Sequence, residues 1–456
     1  MKSFFLLAFL SVFSISCFGQ VQFSKKEVVD DLKTLRTSLE ETHYNLYAYT
    51  SKGDFEKTYQ KIKGEIQQDS LGLLEVTNLF QVLVSAVNNG HTFIDFPAQS
   101  YIGYAQSGGT LFPLEIVFEE GKSFIRKNWS ANTELEAGLE ILSINGKSIE
   151  EIKTRIYPQI SAERPYFKDA KIEFYSFPRY YWQVFGKQDG FTVEVKKGET
   201  IKKHELEPIS VLDGFEAKRT EIFISERELK FVQSTAYLNP GAFSGDEDAY
   251  RAFIDSSFVE IKKMNSKNLI IDLRNNTGGN DSFGDYLVSH IANKPFKWCS
   301  SFRVKTSQRL KEFTRKNSDS TKAYAKAHLN NKDGEIYAPE LPLYKPQSKD
   351  KRFDGKVYVL VNRQSYSQSA VTAAQIQDYN WGTIVGEETG EYPSLYASIF
   401  QYALPHTGIM VNVSKGHIVR VNGSEKEEGV MPDIFIRDHL IDDTDEILEV
   451  LLERLR

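Results

Sequence analysis

Apolar residues recur at three- and four-residue intervals through the first ninety positions, fall into short runs through the next hundred, and then form continuous β-branched blocks separated by amphipathic stretches. The first texture predicts helices packed on one face; the last predicts parallel strands covered on both faces. Val28, Leu32, Leu35 and Leu39 share one helical face behind a capping-box signature, Ser24-Lys25-Lys26-Glu27. A second helix carries Phe55, Tyr59, Ile62 and Ile66, and a third carries Leu79, Val82, Leu83, Ala86 and Val87. Asn88-Asn89-Gly90 closes the third helix, with the glycine expected to be left-handed. His91-Thr92 then leads into an expected strand over 93–96. A histidine just past a helix end commonly serves the C-terminal dipole or packing, so His91 gains meaning only from a partner.

The middle region predicts strands over 111–118, 124–126, 140–144 and 192–195, with a tight turn at Asn145-Gly146 and a helix over 148–157. The segment LEAGLEILSINGKSIEEI (135–152) resembles the core of a PDZ domain, departing at Leu139, where an acidic residue is usual. That resemblance implies uptake of an extended peptide by strand addition. The alternative is a β-rich spacer without a ligand.

The third region opens on an expected strand over 230–238 and a helix over 249–264 showing Ala249, Phe253 and Phe258. The strand Leu269-Ile270-Ile271 runs into Asp272-Leu273-Arg274-Asn275-Asn276-Thr277-Gly278-Gly279-Asn280. Paired glycines after a buried strand let bare N–H groups approach a ligand oxygen, the geometry an oxyanion hole needs. Residues 305–352 are polar and Lys-rich and predict an excursion from the domain, helical near 321–329, able to cover a site as a lid. Residues 357–361 then form a buried strand, 362–368 a polar turn, 370–376 a helix and 383–385 another strand. A strand, turn and helix in that order lift a hydroxyl to a helix N-terminus, and Ser367 is the candidate nucleophile. Three serines in five residues at a helix start also fit plain capping.

Composition narrows the classes. A formal charge of −6 without basic blocks argues against a nucleic-acid partner. The opening MKSFFLLAFLSVFSISCFGQ reads as a signal peptide over 1–19: Lys2, an apolar run from Phe4 to Phe13, and a small-residue cleavage site at Cys17-Phe18-Gly19. Ser14 stands where a lipidation signal wants an aliphatic residue, so soluble export to the periplasm or medium is favoured over anchoring through Cys17. No later segment is long and apolar enough for a transmembrane helix. Cys299 is then the one cysteine left, which excludes a disulfide framework and a thiolate metal cluster.

Gly90-His91-Thr92, the PDZ-like unit, DLRNNTGG (272–279), YSQSA (366–370), GEETG (386–390) and GVMPDI (429–434) together resemble the tail-specific, or C-terminal processing, serine peptidase family. The resemblance implies an α/β multidomain chain: a helical N-terminal region (20–100), a PDZ-like domain (105–210) and a crotonase/Clp-like ββα catalytic domain (220–456). Tyr392 falls where one branch carries a catalytic lysine, so the sequence looks more like the tricorn-core and retinoid-binding-protein-like branch. By that likeness Ser367 is the nucleophile and His91 its base. The N–H of Gln368 and that of Gly278 or Gly279 form the oxyanion hole, and Glu425, chosen from Glu425, Glu427 and Glu428, supports the histidine. No metal or cofactor is implied. Gly90 stands where the tricorn protease has serine, and Gln368 where a small residue is usual, leaving the fourth member of the relay unassigned. The expected function is an exported serine endopeptidase acting on proteins or peptides. The alternatives are a catalytically inactive peptide- or ligand-binding protein of the same fold and, disfavoured by export, an acyl-CoA enzyme.

Overall fold

The computed structural model describes residues 21–219, 226–319 and 321–456. The signal segment and Cys17 lie outside the described residues. Among the described residues, no helix is long and apolar enough to cross a membrane.

The chain is a mixed α/β structure built on several sheets. Its central sheet runs Glu228–Val232, Thr235–Asn239, Asn268–Asp272, Lys356–Val361, Thr383–Gly386, Ile434–Phe435, with all pairs after the first parallel. Because successive strand residues point to opposite faces, Leu269, Ile271, Val359 and Val361 pack under helices Glu247–Lys263, Asp281–Ser289 and Gln368–Asp378. Ile270, Leu360 and Val385 point the other way, to Ile447 and Leu451 of helix Glu446–Arg454. Burial on both faces explains why these strands read as unbroken apolar runs.

A second sheet pairs the long strands Leu395–Ala403 and Met410–Val419, to which Phe93–Ile94 adds. The N-terminal helices Lys25–Thr42, Lys52–Glu65 and Leu73–Ser85 pack their apolar faces on Val411 and Val413 of this sheet. Ser24 forms both halves of its capping box with Glu27. A third, antiparallel sheet orders Thr200–Leu206, Phe191–Lys197, Glu140–Ile144, Lys122–Asn128 and Leu114–Glu119 around its own core.

Several local expectations change. The expected strand over 230–238 is a hairpin, broken where Gln233 takes φ 54°. In helix Glu247–Lys263 the buried apolar positions are Tyr250, Ile254, Phe258 and Ile261; of the expected face Phe258 is buried, Phe253 packs half-buried on the core and Ala249 is exposed. After the third helix the left-handed residue is Asn88 (φ 53°) rather than Gly90. Helices Pro165–Tyr175 and Phe177–Phe185 lie in the region where the sequence pattern suggests only short strands and one short helix. They have a positional consequence. Glu173 of the first reaches across to the turn before Ser367, where Arg363 sits between Glu173 (2.6 Å) and Glu387 (3.1 Å), all three side chains buried. Breaking such a cluster strands buried charge, so Arg363→Met should lower unfolding free energy by about 3–5 kcal/mol in a denaturant titration. An unchanged midpoint would remove this cluster from the account of the fold.

Candidate active site

The turn leaving Lys356–Val361 is held by its own polar side chains. Asn362 Oδ1 accepts from the N–H groups of Asn275 and Gln364, and Ser365 Oγ donates to Leu273 O at 2.7 Å. Ser369 Oγ reaches the same carbonyl at 3.3 Å. Two of the three serines therefore brace the turn. Ser367 does neither: it holds φ 57°, ψ −132°, a strained conformation for a residue with a Cβ, and the helix begins at Gln368. Its Oγ lies 2.9 Å from His91 Nε2, 276 residues away in sequence.

His91 is placed by the loop that follows the third helix. Asn89 ties that loop down: its Oδ1 accepts from Thr92 Oγ1 (2.8 Å) and Ser414 Oγ (2.6 Å), and its Nδ2 donates to Tyr396 O and Glu163 Oε1. Behind the imidazole, Glu391 Oε1 approaches Nδ1 at 2.8 Å, and Glu391 Oε2 accepts the N–H of Ser367 at 2.7 Å. One fully buried carboxylate thus holds both the histidine and the strained serine backbone. The Nδ1 approach is close without being an aligned hydrogen bond. Burial opposes the imidazolium, but the charge and contact of Glu391 outweigh it, and the His91 pKa is held above the usual histidine value.

Glu425 is not at this site, which corrects the carboxylate assignment. Its side chain is 65% exposed and approaches only as near as 3.9 Å to the imidazole of His417. Its cluster contains Lys426 and is a solvated face, whereas the place beside His91 is dry and is filled by Glu391 from the loop after Thr383–Gly386. Tyr392, next in sequence, is buried beneath Arg164, whose guanidinium lies 5.1 Å from the ring centre. Sequence reasoning missed Glu391, although it abuts the GEETG motif and stands one residue before the aligned lysine position.

The two glycines differ. A Cβ on Gly278 (φ 84°) would fall 2.6 Å from both Ser367 Cβ and Gln368 N, and one on Gly279 (φ 139°) only 2.0 Å from Phe243 O. Only glycine lets these backbones close. Gly278 N–H is already given to Asn276 Oδ1 at 2.8 Å. Gly279 lines the cavity beside Ser367, and so does Gln368, whose N–H, as the first of its helix, has no intrahelical acceptor. The cavity itself holds about 330 Å³ and is bounded by His91, Gly279, Ser367 and Gln368 on one side. Its other wall is apolar: Trp298, Phe302, Val371, Leu395, Ala397 and Ile418.

The family model for peptidase family S41 matches residues 234–436. Among solved structures, mature CPAF complexed with lactacystin superposes with a TM-score of 0.66 at 13% identity, covering 94% of this chain and 98% of that one. Mature CPAF alone gives 0.65 at 13% identity, over 94% and 96%. The photosystem II D1 C-terminal processing protease gives 0.44 at 16% identity, over 93% and 97%. At such identities the likeness concerns the fold. A search of curated proteins finds no match.

Proposed function

The chain belongs to peptidase family S41, and from that membership we propose that it is a serine endopeptidase working through Ser367, His91 and Glu391. The observation that carries this reading is the continuous line from Ser367 Oγ to His91 Nε2 (2.9 Å) and from His91 Nδ1 to Glu391 (2.8 Å). A serine hydroxyl needs an adjacent base, and imidazole supplies one near working pH. Ser367 Oγ attacks the scissile carbonyl carbon while its proton passes to His91 Nε2. The Gly279 and Gln368 N–H groups receive the oxyanion, at about 2.7–4 kcal/mol for one such donor. His91 then protonates the leaving amine, and water repeats the sequence on the acyl-enzyme with the same base. Glu391 stabilises the imidazolium without bonding to substrate. Labelling with a fluorophosphonate, which requires an activated serine, tests the assignment: Ser367 should be the modified residue, and an unlabelled protein would count against it.

The apolar wall of the cavity supports a preference for an aliphatic or aromatic side chain next to the scissile bond. Asp281 stands at the same cavity with its carboxyl pKa raised by burial, and an acidic substrate side chain there would meet it unpaired. In a matched peptide series, kcat/KM for Leu or Phe at that position should exceed that for Asp by about 10²-fold, the cost of burying an uncompensated charge. Equal rates would place the side chain elsewhere.

The PDZ-like reading of 105–210 supports docking of a peptide by strand addition. Its Leu114–Glu119 edge is covered, since Phe118 N–H is given to Glu173 Oε1 at 2.8 Å, so the exposed strand Thr200–Leu206 is the edge for docking. The signal-like segment supports action outside the cytoplasm.

A further inference from the structure

Glu163 reaches the site from the stretch just before helix Pro165–Tyr175. Its Oε1 accepts the N–H of Gly90 at 2.7 Å and Asn89 Nδ2 at 3.1 Å, fixing the turn from which His91 projects. Its Oε2 is buried without a hydrogen-bond partner, whereas Glu391 Oε1 is the oxygen that lies 2.8 Å from His91 Nδ1. Both oxygens lie close to Gly90: a Cβ added there would stand 3.1 Å from Glu163 Oε2 and 2.9 Å from Glu391 Oε1. Glycine at position 90 therefore leaves room for both carboxyl groups beside the His91 turn. Two ionised carboxylates buried in one neighbourhood repel, and Glu163 Oε2 lacks a donor; a proton on Glu163 removes both costs.

The surrounding charges agree. Lys171 Nζ donates to Gly90 O (3.2 Å) and Ser161 O (2.7 Å), so it brings one positive charge bound to neutral carbonyls. Lys168 donates to Tyr157 O, burial raises the pKa of the Tyr49 and Tyr392 hydroxyls and so keeps them neutral, and His91 faces Glu391.

We propose that Glu163 is a positioning residue of this site, holding a proton on Oε2 that it donates to Glu391 and so fixing Glu391 against His91. This extends the Ser367, His91 and Glu391 reading and rests on it. Burial, and then the charge of Glu391, raise the Glu163 pKa, which favours the protonated form. Through its two oxygens Glu163 links the His91 turn to the carboxylate behind the imidazole.

Glu163→Gln separates this role from simple bracing, because the amide keeps an oxygen for Gly90 N–H and replaces the O–H donor with N–H. An infrared difference spectrum of the full chain near neutral pH, wild type minus Glu163→Gln, should show a carboxylic-acid C=O band in the wild type. Fluorophosphonate labelling of Ser367 by Glu163→Gln should be slower by about three- to tenfold, as a neutral donor replaces a stronger one, with its acid limb unmoved. Glu163→Ala should label at least about 10²-fold more slowly, leaving the Gly90 N–H and Asn89 Nδ2 without the acceptor that fixes the His91 turn. Absence of the acid band would overturn the proposal. So would an acid limb moved to lower pH in Glu163→Gln, which is the mark of a lost negative charge. Failure of the wild type to label would count against the parent reading instead, and the infrared band would still decide the state of Glu163.

Discussion

Ser367→Ala should reduce turnover of a peptide substrate by on the order of 10⁶-fold, and His91→Ala should fall nearly as far, as expected for a nucleophile and its base. The reason is geometric. Ser367 Oγ has His91 Nε2 as its partner at 2.9 Å, while the neighbouring hydroxyls of Ser365 and Ser369 are turned to Leu273 O and cannot substitute. The double variant should be little worse than either single one, because residues that act as a unit are strongly non-additive. Additive losses would mean that the two side chains contribute separately. A His91→Ala protein with near wild-type turnover would remove His91 from the mechanism. His417 is a poor replacement: it stacks on Tyr396, with ring centres 4.6 Å apart, and its nearest carboxylate is the exposed Glu425.

The parts of this site differ in how far they could be read from the chain. Ser367 was legible from local pattern, because a buried strand, polar turn and helix impose their periodicities within twenty residues. The N-terminal helices were legible for the same reason, down to the Ser24 and Glu27 cap. His91 was not: its partner lies 276 positions away, and only the order of motifs in a resembling family pointed to it. Glu391 was missed because counting spacing near GVMPDI favours a dense acidic cluster, whereas the position beside an imidazole demands burial. Glu391 sits between Gly390 and Tyr392, among buried neighbours, and that setting is the better guide to a carboxylate that must stay dry. Glu163 left no local signal, since it acts through a turn some seventy residues earlier. Its position also bears on any deletion of 110–210. That stretch carries Glu163, Arg164 and Glu173 to the His91 loop, the loop after Thr383–Gly386, and Arg363, so removing it dismantles the site along with any docking edge. Substitutions on the exposed strand Thr200–Leu206 are the cleaner probe of docking.

Glu391→Gln should lower kcat/KM by on the order of 10⁴-fold while leaving the fold intact, as when a buried carboxylate behind a catalytic histidine becomes an amide. Two losses combine. The amide cannot stabilise the imidazolium that forms as Ser367 attacks, and its Nε2–H₂ end, if turned to either contact, opposes Nδ1–H or the Ser367 N–H that Glu391 now receives at 2.7 Å. The pH profile separates this from mere disorder. His91 must be neutral to act as base, and Glu391 holds its pKa above the ordinary value near ~6.5. In the wild type, kcat/KM should therefore rise with pH through a limb lying above that value. Replacing Glu391 removes the charge that favours the imidazolium and leaves burial, which disfavours it, so the limb should move to lower pH even as the plateau falls. A limb that stays in place in Glu391→Gln, or a loss below tenfold, would show that Glu391 neither tunes nor orients His91.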